Sequence, residues 1–184
     1  MIVAIEVKDE GLIKEAFRAG LFVNISYDEK KKDGSRLYFP YWDRERKKAL
    51  ANDEEIKNGN IEQEFLNNVN GYLVIGFGKV RDGLLALDND YGIDAKVNYQ
   101  KNKSLIYEAR IPLELVGLKS DKIAVQLGVT TQYSLLKKAS QAQYNQYRRN
   151  MSPMMGMGRP MLQSTLKNPY KGDTEVWVID TIEK

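Results

Sequence analysis

Two residue types are missing from the chain altogether, cysteine and histidine. Without cysteine there is no disulfide framework, no thiolate nucleophile and no Cys-ligated zinc site. Without histidine there is no Ser-His-Asp triad, no His-based metal site and no imidazole general base, so an enzyme built on this chain would work with carboxylates, Lys, Tyr or Ser. Apolar runs are short, and none approaches the ~20 residues of a membrane-spanning helix. The N-terminus does not read as a signal peptide, because Met1 leads directly into Ile2-Val3-Ala4-Ile5-Glu6-Val7, which has strand character and no basic region or cleavage site. Acidic residues are absent from Lys122 to Gly172, where Lys137, Lys138, Arg148, Arg149, Arg159, Lys167 and Lys171 also lie. Spread among Gln, Ser, Asn, Met and Tyr, these charges lack the clustering of a nucleic-acid stripe and read as solvated loop.

What is present describes one core. With 184 residues, 42% of them hydrophobic and 29% charged, the chain is long enough for a single well-buried domain over 1–184. The clearest pattern lies between Tyr91 and Tyr133. Ile93, Ala95, Val97 and Tyr99 alternate with polar residues, and after Lys101-Asn102-Lys103-Ser104 the alternation resumes with Leu105, Tyr107, Ala109 and Ile111, which predicts a β-hairpin. Beyond Pro112 and a short turn, Ile123, Val125, Leu127, Val129, Thr131 and Tyr133 predict a further strand. Such alternation implies an antiparallel sheet with one face on the core and one facing water.

Earlier in the chain, Val3, Ile5 and Val7 predict a first strand, and Asp9 stands where an N-cap would, ahead of Leu12, Ile13, Ala16 and Phe17 at helical spacing. Gly20 ends that helix. Leu21 to Tyr27, Leu37 to Phe39, Leu73 to Phe77, Leu84 to Leu87 and Val176 to Ile179 predict the remaining strands. Helix formers over about 43–70 read as a helical insertion, and Gln, Gly and five of the six Met residues make about 137–172 a flexible loop. The expectation is a mainly β fold, an antiparallel β-sandwich of roughly eight to ten strands with short peripheral helices.

Chemistry-bearing motifs are few. Asp88, Asp90 and Asp94 stand at alternate spacing around Gly92, as hard oxygen ligands gather for calcium. An EF-hand loop would place its glycine where Ile93 stands and its bidentate Glu where Tyr99 stands. A plain turn is the first reading and calcium the second, with no other cofactor indicated. Gly76-Phe77-Gly78-Lys79-Val80-Arg81 has Arg81 where a dinucleotide loop needs its third glycine, so it reads as a strand end and tight turn. Ser134-Leu135-Leu136-Lys137 matches Ser-x-x-Lys without its companion motifs and reads as chance. The sequon at Asn24 lies inside a predicted strand. Aromatic residues remain: Tyr38, Tyr41 and Trp42 cluster near Pro40, and Trp177 is the only other tryptophan. Exposed aromatic faces stack on sugar rings, which makes these four the candidate ligand contacts, with Trp42 the best placed for exposure.

The run Gly20-Leu21-Phe22-Val23-Asn24-Ile25-Ser26-Tyr27-Asp28, the Lys-rich turn after it and a strand ending in Phe39-Pro40 resemble a group of uncharacterised exported bacterial proteins. Tyr91-Gly92-Ile93, Tyr107-Glu108-Ala109-Arg110-Ile111-Pro112-Leu113 and the Met/Gly-rich stretch before Trp177 are similar to later segments of the same group. The resemblance implies a DOMON-like sandwich, similar to family 9 carbohydrate-binding modules, at a periplasmic or cell-surface location. In the sugar-binding members two Trp side chains clamp a terminal saccharide and calcium binds elsewhere. Some DOMON domains hold haem through His and Met, and the missing histidine argues against that here. A non-catalytic, glycan-binding module of the bacterial cell envelope is therefore the expected function. The alternatives are a carboxylate-based glycosidase, for which Asp94 and Glu108 read as solvated strand positions, or an assembly protein without a small ligand.

Overall fold

The computed structural model describes residues 1–41, 45, 66–99, 104–131 and 174–182. The chain begins with β1 (Ile2–Val7) and α1 (Glu10–Ala19), followed by β2 (Leu21–Ile25) and β3 (Ser35–Phe39). Next come β4 (Gly71–Ile75), β5 (Gly83–Ala86) and the hairpin β6 (Asp94–Tyr99) and β7 (Leu105–Arg110). A 3₁₀ turn at Leu113–Leu115 leads into β8 (Lys122–Val129), and β9 (Thr174–Thr181) completes the described strands. All pairings are antiparallel, in a three-stranded sheet of order β1-β7-β6 and a six-stranded sheet of order β5-β4-β3-β2-β8-β9. Two sheets facing each other across one apolar core make a β-sandwich.

The core is assembled from the positions that alternate inward. Leu105, Tyr107 and Ala109 of β7, with Ile93 and Ala95 before and within β6, come from the small sheet. Val23, Ile25, Leu37, Val74, Val125 and Leu127 come from the large one. Helix α1 closes one end of the sandwich by burying Ile13, Ala16 and Phe17, with the Phe17 ring edge-on to Tyr99 at 5.9 Å between centroids. Its ends are set by sequence. Leu12 N donates to Asp9 Oδ1 at 2.8 Å, and Gly20, at φ 91, lets the chain turn sharply into β2.

One expectation is corrected in the middle of the large sheet. There β2 and β8 are buried on both faces, because Phe22, Asn24, Ala124 and Gln126 are as inaccessible as the core residues between them. Several strand ends also move. The strand from Leu21 stops at Ile25, and Tyr27 instead donates its hydroxyl to Gly76 O at 2.9 Å. The strand from Leu73 stops at Ile75 because Gly76 takes φ 77, which leaves Phe77 buried in the turn that follows. The strand from Ile123 stops at Val129. The peptide between Phe39 and Pro40 is cis. The helical insertion expected over 43–70, apart from 45 and 66–70, and the loop expected over 137–172 lie outside the described residues, as does Ser134 to Lys137.

Candidate functional site

The face of the large sheet that turns away from the core carries the aromatic candidates. Tyr38 stands opposite Phe22, Phe22 opposite Gly128, and Gly128 opposite Glu175. Because side chains two residues apart share a face, Trp177 of β9 projects to the same side as Tyr38 of β3. Both are half-buried. Three strand spacings separate them, roughly 14 Å across the sheet. The Phe22 and Tyr38 rings lie 5.8 Å apart, and Gly128 makes room for Phe22, since a Cβ there would fall 2.8 Å from two of its ring atoms. Leu73, Leu84 and Ile75 continue the apolar surface toward the β5 edge, and Ile179 does so at the β9 edge.

Beside the aromatic line runs a polar one. The second row across the strands reads Arg36, Asn24, Gln126 and Trp177. Asn24 Nδ2 donates to Gln126 Oε1 at 3.0 Å and to Lys32 O at 3.1 Å, while its Oδ1 accepts from Gly34 N at 2.9 Å and Arg36 Nε at 3.4 Å. Gln126 Nε2 passes the chain on to Glu175 Oε2 at 2.5 Å. Arg36 also holds Asp33 through its guanidinium. Both amides are buried with their hydrogen-bonding groups engaged, which is the condition for keeping polar side chains inside a sheet. The loop that closes over Asn24 is steadied by Asp28, whose carboxyl is held below its usual range by the Lys32 ammonium and then by the Lys30 N–H.

Tyr41 is half-buried just beyond Pro40, and Trp42 lies outside the described residues. Residue type alone does not mark Phe22, Arg36, Asn24, Gln126 or Glu175 as part of this face. A signal was there: Asn24 and Gln126 interrupt strands that also place Phe22 and Ala124 at their supposed water-facing positions.

The acidic turn is organised differently. Asp88 and Asp90 are exposed, and Asp94 lies 3.6 Å from the Arg110 guanidinium and 3.7 Å from the Lys96 ammonium. Asn89 closes the turn itself. Its Nδ2 donates to Ile93 O at 2.9 Å and to Ala86 O at 3.2 Å, and its Oδ1 accepts from Tyr91 N at 3.2 Å. Among the described residues no three His, Cys, Asp or Glu side chains are grouped as metal ligands. Glu108 is exposed on the outer face of the small sheet, opposite Lys96 and on the same side as Asp94. The Gly76 to Gly83 stretch is a turn tied by Gly76 N donating to Asp82 Oδ1 at 2.7 Å. Asn24 of the sequon is fully buried.

Compared with known proteins, the chain matches no family model, no curated protein and no solved structure.

Proposed function

We propose that this β-sandwich is a non-catalytic binding module of the bacterial cell envelope, with glycans as its ligand class and the exposed flanks of the outer face of the six-stranded sheet, on either side of its buried middle strands, as its contact surface. The observation that carries the reading is that Tyr38 and Trp177, from distant parts of the sequence, are half-exposed on one face of that sheet. Flat aromatic faces stack on the apolar faces of sugar rings, and Arg36 and Glu175 supply a hydrogen-bond donor and an acceptor on the same surface. Tyr41, Trp42 and the DOMON-like resemblance belong to the same reading. The placement of Asp94 and Glu108 on an exposed sheet face, beside Lys96 and Arg110, supports binding over carboxylate catalysis, which needs two carboxyls across a cleft.

Glycan-array screening of the intact chain tests this, followed by titration of any hit against Tyr38→Ala and Trp177→Ala. Each substitution is expected to weaken binding by about tenfold, or roughly 1.4 kcal/mol. Silence across a broad panel, or a hit indifferent to both substitutions, would overturn the proposal.

A further inference from the structure

Charge is distributed unequally between the two flanks of the outer face. At the β3 flank the charge of Arg36 is compensated, because its guanidinium holds Asp33 while its Nε donates to Asn24 Oδ1 at 3.4 Å. At the β9 flank Glu175 is exposed and lies two residues from Trp177 on the same side of the strand, about 7 Å along it. Its carboxylate accepts from a neutral group, Gln126 Nε2, at 2.5 Å. Among the described residues no Lys or Arg is paired with it. Ile179, two residues beyond Trp177 in the other direction, is apolar and exposed. The charge left open beside the indole is therefore negative.

The carboxylate is also oriented. Gln126 is buried, and its own Oε1 accepts from Asn24 Nδ2 at 3.0 Å, so the amide that grips Glu175 Oε2 is fixed in place. An ionised carboxyl only accepts hydrogen bonds, and its two oxygens together offer about four sites. Gln126 takes one of them, which leaves the rest of Glu175 to a ligand.

A sugar ring stacked on Trp177 would meet this anionic acceptor at about the reach of its own substituents. A hydroxyl donates to it, an ammonium donates to it and also cancels its charge, and a sugar carboxylate is repelled. We infer that Glu175 sets the class of glycan taken at Trp177, which is a cationic amino sugar, a hexosamine whose amine is free rather than acylated, to the exclusion of uronic acids. This rests on the glycan reading proposed above and adds to it the charge of the sugar.

The probes are tetrasaccharides of one linkage built from glucosamine, from N-acetylglucosamine and from glucuronic acid. They are titrated by calorimetry in a buffer acidic enough to protonate the amine and neutral enough to keep Glu175 ionised. The glucosamine tetramer is expected to bind at least about tenfold more tightly than the acetylated one, with no saturable binding of the glucuronate. Glu175→Gln, a change at an exposed position, should leave the melting curve in place and bring the two hexosamine affinities to within about twofold. Trp177→Ala should weaken both alike, and added salt should erode the preference for the amine. The inference is overturned if the intact protein binds the two hexosamines equally or prefers the glucuronate, or if Glu175→Gln leaves their ratio unchanged. It is overturned as well if glycans retained on an array through Trp177 carry no free amine, and in each of these cases Trp177-dependent binding would leave the glycan reading standing. Silence of the array and of all three tetramers would remove that reading and this inference together.

Discussion

Asn24 is the polar residue on which the large sheet depends most visibly. It is fully buried in β2, and both ends of its amide are hydrogen-bonded, to Lys32, Gly34, Arg36 and Gln126. Asn24→Ala would leave the Gly34 N–H and the Gln126 carbonyl without that partner in a dry setting, so a loss of about 2–4 kcal/mol is expected in urea denaturation. A loss below about 0.5 kcal/mol would mean that solvent reaches the row. Tyr107 is the opposite case. Its hydroxyl is fully buried with no hydrogen-bond partner among the described residues, and burial first, then the neighbouring Tyr72, pushes its ionisation well above that of an ordinary tyrosine. Tyr107→Phe should therefore change stability at neutral pH by no more than about 1 kcal/mol, in either direction. The sign of the pH effect follows from the raised folded-state value. Below about pH 10 both states keep the proton, and above it the unfolded chain loses a proton that the buried phenol retains. Stability is expected to fall by roughly 1.4 kcal/mol per pH unit from this group above about pH 10, and Tyr107→Phe should remove that component. Denaturation curves at about pH 8 and about pH 11 would show it; a slope unchanged in the variant would contradict the assignment.

At the scale of single elements, alternation located the strands well because a side chain in a strand has only two directions to point. Ile123 to Val129 and Leu105 to Ile111 sit inward as their spacing predicts. Strand ends were harder to read, since Gly76 and the turn after Ile25 depend on bonds to Asp82 and Ala124 from other segments. Burial of both faces of β2 was hidden for a related reason, because Asn24 and Gln126 look water-facing until they are paired with each other. Gly128→Ala tests that packing, as the new Cβ would lie 2.7 Å from Thr174 O and 2.8 Å from the Phe22 ring. Overpacking of this kind typically costs 1–3 kcal/mol, and a value near zero would mean that β9 moves freely against β8. The acidic turn offers a further test. With Asp94 beside Arg110 and Lys96 and the turn closed by Asn89, thermal melts in EGTA and in millimolar calcium are expected to coincide. Asn89→Ala should instead lower stability by about 1–2 kcal/mol. A calcium-dependent shift that disappears in Asp90→Ala would restore the metal reading.

For the molecule as a whole, the pairing of distant segments is what the sequence conceals. β1 joins β7 and β9 joins β8 across long stretches of chain, and nothing in the spacing of apolar residues states which sheet a strand will enter. Tyr38 and Trp177 could be nominated from residue type alone. Their common face comes from three successive registers, β3 to β2, β2 to β8 and β8 to β9. The row from Arg36 to Glu175 is likewise a property of those registers and of no contiguous motif. The most direct test of the proposed contact face uses Trp42→Phe, which leaves Trp177 as the sole tryptophan. Titrating that variant with the glycans retained on an array should give a saturable change in tryptophan emission, because the exposed part of the half-buried indole exchanges water for contact with a sugar ring. Saturable binding measured by calorimetry with the Trp177 emission unchanged would contradict the account, placing the ligand elsewhere on the protein.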